Sequence, residues 1–282
     1  MNTTTSSFNN SLTIATRLHL GHASNPPPNA QLVETISSFA NLASTVGAEH
    51  AIIAVDAEDK IEGYSLVAEV SEICRSSLPE NSTTIHILPI KPWGKFVPAL
   101  NAIVSWTARQ QSQYLLLVSA EVQMTSDAMD ALKKEMDMDT TLVVGAVLQG
   151  HQHQKALEDE ENNGNEVELT GRTTPWNTLA LWNLPKLALT GFLLVSEGLH
   201  PDDGKEGAAG VEEVCTIATL QKLLPPNTAQ AKLLSISGVQ WGQDFGDDEG
   251  RKEWHERKMM SKITRAKRQL DLMGLSGTVL HF

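Results

Sequence analysis

The sequence predicts an α/β fold with a mostly parallel central sheet that is flanked by helices. Short apolar segments rich in β-branched residues alternate along the chain with longer segments whose apolar residues recur at helical spacing. Parallel strands that follow one another need crossover helices, which cover both faces of the sheet. The chain has 282 residues, of which 41% are hydrophobic, so it is long enough to bury a sizeable core.

Strands and helices alternate through the first half of the chain. The predicted strands are runs of mostly apolar residues at 11–18, 50–56, 83–90, 113–121 and 141–148. The predicted helices carry apolar residues three and four positions apart, at 31–46, 62–77, 96–109 and 126–136. Gly47 follows the first helix and Pro79 the second, as expected of helix stops.

The second half of the chain is less regular. The segment 151–168 is polar and acidic and is predicted to be a surface loop, whereas 172–192 is dense in tryptophan, threonine and leucine. Helical spacing returns at 211–224, and a late strand is predicted at 232–236. The predicted organisation is a disordered N-terminus at 1–10, one domain at 11–250 with an irregular C-terminal part, and a basic helical extension at 251–282.

Composition and missing motifs narrow the class of protein. The formal net charge of −12 argues against a general nucleic-acid binder, which needs a basic surface. Two cysteines are too few for a disulfide framework and fit a reducing compartment. We see neither a secretory signal nor an apolar run near the roughly 20 residues of a membrane span, so the expected location is the cytoplasm. The P-loop, the Rossmann glycine fingerprint and the G-x-S-x-G and H-E-x-x-H motifs are also missing.

Polar residues follow several of the predicted strands. In parallel sheets, ligands bind outside the carboxyl ends of the strands, which points to Arg17, Asp56, Trp93 and Glu121. A carboxylate in the place of Asp56 accepts hydrogen bonds from a base or ribose, or else faces solvent or caps the next helix. Glu121 is placed either to hold a divalent cation or to face the start of the next helix.

The turn after the third strand has the composition of an anion site. Gly94 allows close approach to the backbone, and the helix that follows presents N–H groups to an anion. Lys91 and Lys95 add positive charge. The alternative is an ordinary helix start with surface lysines.

The order of these motifs resembles that of a known enzyme class. A helix that reads PALNAIV, followed by YLLLVSAE, is similar to family-2-like glycosyltransferases of the GT-A (nucleotide-diphospho-sugar transferase) fold. In that family a helix of the type G…ALN/ARN…A precedes a strand that ends in Asp-x-Asp. Gly94 with residues 99–101 matches the helix, residues 114–121 match the strand, and 189–192 followed by 210–213 resembles the acceptor region. The resemblance covers residues 11–225.

The resemblance implies a role for each matching position. Asp56 contacts the nucleotide base, and Thr16 and Arg17 lie against the nucleoside. The implied nucleotide-binding residues are Thr16, Arg17, Asp56, Gly94, Lys95 and Asn101. Glu213, or its neighbour Glu212, is the general base that deprotonates the acceptor hydroxyl.

A Mg²⁺ or Mn²⁺ ion that bridges the diphosphate is the implied cofactor, with Glu121 as its ligand and His255 as a late ligand in the way of some relatives. The chain departs from the family here, because Ser119 stands where the first Asp of Asp-x-Asp is expected. One carboxylate, water and diphosphate oxygens still suffice for Mg²⁺. Alternatively the chain uses no metal, and Arg172 or the basic C-terminal segment neutralises the phosphates.

The resulting functional hypothesis is a glycosyltransferase that moves a sugar from a nucleoside-diphosphate sugar to a hydroxyl acceptor. Two alternatives stay open: a non-catalytic GT-A-like binding protein, and a nucleotidyltransferase that joins a sugar phosphate to a nucleotide. The expected partners are the sugar donor and an unidentified acceptor, with no nucleic acid and no membrane span. A homo-oligomer is also left open.

Overall fold

The computed structural model describes residues 11–21, 23–78, 83–154, 164–198, 211–241 and 249–282, and for 249–259 it describes the backbone alone. The segment 1–10, which the sequence predicts to be disordered, therefore lies outside the described residues. Half of the predicted loop 151–168, residues 155–163, lies outside them too.

Nine strands of the described residues form one central sheet, in the order β3-β2-β1-β4-β8-β6-β9-β11-β7, and β10 pairs with β5 in a second, two-stranded sheet. Their bounds are β1 (Leu12–Leu18), β2 (His50–Asp56), β3 (Ile85–Ile90), β4 (Tyr114–Val118), β5 (Val122–Met124), β6 (Thr141–Ala146), β7 (Asn165–Glu168), β8 (Leu179–Asn183), β9 (Gln230–Leu234), β10 (Val239–Trp241) and β11 (Thr278–His281). Within the central sheet, β7 and β8 run against the other strands. The mostly parallel sheet that the sequence predicts is confirmed.

Helices cover both faces of this sheet. Their bounds are α1 (Asn29–Thr45), α2 (Leu66–Ser76), α3 (Val97–Arg109), α4 (Ser126–Glu135), α5 (Leu184–Leu187), α6 (Glu212–Leu223) and α7 (Glu249–Met273), with a 3₁₀ turn at Leu194–Glu197. One apolar core lies under α1, α2 and α4, and the other lies under α3, α5, α6 and α7. Strand β2 shows why two cores form: Ile52 and Ala54 face one and Ile53 and Val55 the other, as the period of two in a strand requires.

Strand β8 is the main departure from the sequence prediction. Its residues Leu179–Asn183 lie in the segment that the sequence marks only as rich in tryptophan and leucine. All five are buried, and the strand pairs antiparallel with β4 on one side and β6 on the other. Its sequence, LALWN, contains none of the β-branched residues that favour a strand, and leucine and alanine are also strong helix formers.

The C-terminal residues join the central sheet. After α7, strand β11 pairs with β9 and β7. The division of the chain at residue 250 is therefore a boundary of sequence composition, and its meaning as a domain boundary stays a prediction. In the described part of the chain, no helix combines the length and hydropathy needed to cross a bilayer.

Candidate functional site

A large cleft opens at the edge of the sheet where the parallel strands end, here called the carboxyl edge. Its volume is about 990 Å³. The end of β1, the turn after β3, the turn after β4 and the start of α6 each contribute to its wall. Because β8 runs antiparallel, the residues that precede β8 lie at the same edge. The cleft therefore lies where ligands bind in open α/β sheets.

The structure brings several residues predicted from the sequence together in this cleft. They are Thr16, Arg17, Lys95, Glu121, Glu212 and Glu213. Trp93, to which the strand-end rule also points, lines the cleft as well. Other residues of the wall were not predicted one by one, and those used below are Asn177, Lys262 and Arg265. Although the chain as a whole carries a charge of −12, the wall carries four Lys or Arg side chains against three carboxyl groups.

Glu213 is the buried carboxyl group of the cleft. It lies in the first turn of α6 and is 4% exposed. The backbone N–H of Asn177 donates a hydrogen bond of 2.6 Å to its Oε1. Burial, followed by the charge of Glu212, raises the pKa of Glu213 to about 7, while Lys262 and the N–H of Asn177 act in the opposite direction. A carboxyl group with this pKa can take and release a proton near neutral pH.

Asn177 is a polar residue that the sequence reasoning missed. Its Oδ1 accepts a hydrogen bond of 2.9 Å from Nε1 of Trp182, which sets the orientation of the amide. Its Nδ2 is buried and has no hydrogen-bond partner in the described part of the chain. A prediction of β8 from the sequence would have found Asn177. A strand at 179–183 that runs antiparallel to β4 begins at the carboxyl edge, and Asn177 lies just before that strand.

Two more buried polar groups of the cleft wall have no partner among the described residues: Oγ1 of Thr16 and Nε1 of Trp93. Thr16 is 2% exposed at the end of β1, and Trp93 is 3% exposed after β3. A buried polar atom without a partner costs about 1–3 kcal/mol. The usual source of a partner for such an atom is an ordered water or a bound molecule.

Glu197 occupies the helix N-terminus that the sequence predicts as an anion site. Its Oε1 accepts hydrogen bonds from the backbone N–H groups of Lys95, Phe96 and Val97, at 3.1, 2.8 and 2.7 Å. Gly94 has a φ of +65°, and a Cβ there would lie 3.0 Å from Oε2 of Glu197. The close approach that glycine permits is therefore made by a carboxylate of the chain itself. Nucleotide binding by Gly94 and Lys95 stays a prediction, and Lys95 lines the cleft.

Two further predicted nucleotide-binding residues have partners within the protein and do not line the cleft. Asp56 is 2% exposed, its Oδ2 is paired with Lys60 and its Oδ1 accepts the N–H of Glu58. Asn101 exchanges two hydrogen bonds with the backbone of Phe192, at 2.9 and 2.7 Å. Contact between Asp56 and a base would require rearrangement of the Lys60 pair, and both nucleotide roles stay predictions.

The metal prediction rests on Glu121, which lies exposed on the cleft wall after β4. Within the described residues, no three His, Cys, Asp or Glu side chains come together as metal ligands would. The backbone of His255 lies in α7, but its side chain is outside the described part of the structure. A Mg²⁺ or Mn²⁺ cofactor therefore stays a prediction, with Glu121 as the one predicted ligand whose side chain lies among the described residues.

The C-terminal helix reaches the cleft through Lys262 and Arg265. Nζ of Lys262 lies 3.6 Å from the centre of the ring of Trp176, a cation–π contact. Trp176 itself is buried in the core, with His151 stacked on it at 3.7 Å. Arg172, the other cation considered for the phosphates, donates to the carbonyl oxygen of Gly150 and does not line the cleft.

No protein-family model and no curated protein matches the sequence. Among solved structures, S. aureus TarS 1–349 in complex with UDP-GlcNAc is similar to this chain, at 10% identity and a TM-score of 0.45. The match covers 81% of this chain and 57% of the TarS fragment. The TarS 1–349 complex with UDP matches 81% of this chain with 59% of its own, at 10% identity and a TM-score of 0.44. The chain thus spans 57% to 59% of the length of these two TarS fragments. At this identity and these TM-scores, the likeness concerns only the general arrangement of strands and helices.

Proposed function

We propose that the protein transfers a glycosyl group from a nucleoside-diphosphate sugar to a hydroxyl acceptor. The observation that carries this proposal is the place of Glu213, a buried carboxyl group on the wall of a large cleft at the carboxyl edge of the sheet. The volume of about 990 Å³ is at the upper end of the range of about 300–1,000 Å³ for small-ligand sites, which suits an extended ligand such as a nucleotide sugar.

Glu213 is the general base of the proposed reaction. The acceptor hydroxyl gives its proton to the Glu213 carboxylate while its oxygen bonds to the anomeric carbon of the donor sugar. The bond between that carbon and the diphosphate oxygen breaks, and the diphosphate keeps the electron pair. With a pKa of about 7, Glu213 is ionised in a large fraction of molecules at neutral pH and still basic enough to hold the proton. The N–H of Asn177 holds the carboxyl group in place.

The donor nucleoside is assigned to the end of the cleft formed by β1 and the turn after β3. Thr16 and Arg17 come from β1, and Trp93 follows β3. The unpartnered Oγ1 of Thr16 and Nε1 of Trp93 support this assignment, because nucleosides carry hydroxyl and carbonyl oxygens that accept hydrogen bonds. The sugar then lies toward Glu213. No step is assigned to a divalent cation. At the position of the family's Asp-x-Asp motif, the predicted metal ligand among the described residues is Glu121 alone.

The test is the release of nucleoside diphosphate from a panel of nucleotide sugars, measured with water alone and with sugar and alcohol acceptors. We expect release from a preferred donor, with a kcat/KM that rises with pH through about 7. Glu213→Gln should lower kcat about 100-fold or more, the effect of removing a general base, and leave donor affinity nearly unchanged. Glu212→Gln is the matched variant, since Glu212 is the other predicted base.

Other outcomes would favour other functions. A nucleotide sugar that binds but is never cleaved with any acceptor would indicate a non-catalytic binding protein. Pyrophosphate release from a nucleoside triphosphate and a sugar phosphate would indicate a nucleotidyltransferase. A loss of turnover in Glu212→Gln but not in Glu213→Gln would move the base to Glu212.

A further inference from the structure

Two cations of α7 reach the cleft beside the proposed base. Lys262 and Arg265 are three residues apart, so they lie on one face of the helix, and both line the cleft. Other basic residues of the same helix, Lys267 and Arg268, are exposed. The sequence assigns this helix to a C-terminal extension, yet the structure makes it one wall of the cleft.

Close packing holds α7 in this place. A Cβ on Gly171 would lie 2.3 Å from the carbonyl oxygen of Lys262, so only glycine permits this contact. Nε2 of Gln269 donates a hydrogen bond of 2.8 Å to the carbonyl oxygen of Val195. The contact of Lys262 with the ring of Trp176 adds a third attachment. The two cations are therefore positioned before any ligand arrives, which is the condition for effective electrostatic stabilisation.

Both cations interact electrostatically with Glu213. Lys262 acts to lower the pKa of Glu213. Burial lowers the pKa of Arg265, and the charges of Glu212 and Glu213 act in the opposite direction. A diphosphate carries several negative charges, and the planar guanidinium of arginine binds phosphate oxygens through two hydrogen bonds at once. In the described part of the chain, no three metal-ligating side chains come together, and the other cations of the cleft wall are Arg17 and Lys95.

We propose that Lys262 and Arg265 bind the diphosphate of the donor and stabilise the departing nucleoside diphosphate, so that transfer needs no divalent cation. This inference rests on the proposed function. When the bond from the anomeric carbon to the diphosphate oxygen breaks, the electron pair stays on that oxygen, and the two side chains balance the added charge. No metal ion enters the step.

The test compares four nucleoside diphosphates, ADP, CDP, GDP and UDP, with their parent nucleosides by calorimetry, in EDTA and in Mn²⁺. We expect one diphosphate to bind with nearly the same Kd in both conditions. Lys262→Gln and Arg265→Gln should each raise that Kd about tenfold or more, the effect of losing a charge-assisted hydrogen bond, and leave the Kd of the nucleoside nearly unchanged. Lys267→Gln is the matched control on the exposed face of the same helix, and we expect the wild-type Kd.

Conservative variants guard against misfolding. Arg265→Lys keeps the charge but loses the planar guanidinium, so it should weaken the diphosphate less than Arg265→Gln does. Binding that requires Mn²⁺, or wild-type binding by the two glutamine variants, would overturn the inference.

The outcomes separate the inference from the proposed function. Sugar transfer that occurs only with Mn²⁺ would overturn the inference and leave the proposed function standing. Diphosphate binding that depends on the cations but not on metal, without transfer from any nucleotide sugar, would overturn the proposed function and the role in the leaving step. No binding of any of the four diphosphates would contradict both.

Discussion

Replacement of Glu213 by glutamine tests the central electrostatic feature of the site without any knowledge of the substrate. Glu213 titrates near 4.5 in the unfolded chain and near 7 in the folded one. Between these two pH values the folded state binds more protons than the unfolded state, so the free energy of unfolding falls as the pH rises. Each unit of pKa difference corresponds to about 1.4 kcal/mol, so charging Glu213 destabilises the fold by about 3 kcal/mol at pH 8.

Glutamine has no charge to bury, and its carbonyl oxygen can still accept the N–H of Asn177. The free energy of unfolding of Glu213→Gln, relative to wild type, should therefore increase by about 3 kcal/mol between pH 4 and pH 8. Urea unfolding followed by tryptophan fluorescence measures this difference at each pH, and titrations common to both proteins cancel. Glu121→Gln is the matched control, because Glu121 lies exposed in the same cleft and its replacement should change stability by less than about 0.5 kcal/mol.

The reasoning would be refuted if the free energy of unfolding of Glu213→Gln, relative to wild type, stayed constant or fell as the pH rises. It would mean that Glu213 ionises near its ordinary pKa and is therefore hydrated. The assignment of Glu213 as a base active near pH 7 would then lose its physical support.

Three further predictions concern the cleft and the elements that hold it. Thr16→Val should leave the free energy of unfolding unchanged or raise it by about 1 kcal/mol, because it removes an unpartnered buried hydroxyl, and it should weaken nucleotide binding. The control is Thr107→Val, which removes an unpartnered buried hydroxyl away from the cleft. It should change urea unfolding in the same way and leave nucleotide binding unchanged. Gly171→Ala should cost about 2 kcal/mol or more in urea unfolding and weaken diphosphate binding, since the added Cβ must displace the backbone at Lys262; wild-type values for both would contradict the packing of α7. Glu197→Ala should lower stability by about 1–2 kcal/mol, because three N–H groups at the start of α3 lose their acceptor, and Glu197→Gln should lose less; equal melting temperatures for these two variants and wild type would contradict this role.

Local pattern was sufficient for most of the first half of the fold. Apolar runs of strand length and apolar residues at helical spacing predict β1 to β4 and α1 to α4 within a few residues of the observed bounds. Two bounds differ for local reasons. The side chain of Ser65 accepts the N–H of Ala68, so α2 begins at Leu66 rather than at 62. The predicted strand 113–121 ends at Val118, because a turn follows in which Val122 donates to the carbonyl oxygen of Ser119.

The residues of the candidate site were also predicted only in part from the sequence. The rule that ligands bind where parallel strands end was enough to select Arg17, Trp93 and Glu121, and all three line the cleft. The same rule selected Asp56, which the structure pairs with Lys60 outside the cleft wall. A strand-end rule gives position along the chain, but the partner of a side chain depends on neighbours that sequence spacing does not reveal.

The sequence by itself determined the alternation of strands and helices, the two apolar faces of the sheet and the strand ends from which polar residues reach a ligand, because each of these depends on neighbours within a few residues. Only the tertiary structure decided that β8 enters the sheet between β4 and β6, that Glu197 occupies the start of α3, and that α7 brings its cations to Glu213. These contacts join residues about 35 to 100 positions apart. Their geometry follows from how the whole core packs, and no periodicity along the chain encodes it.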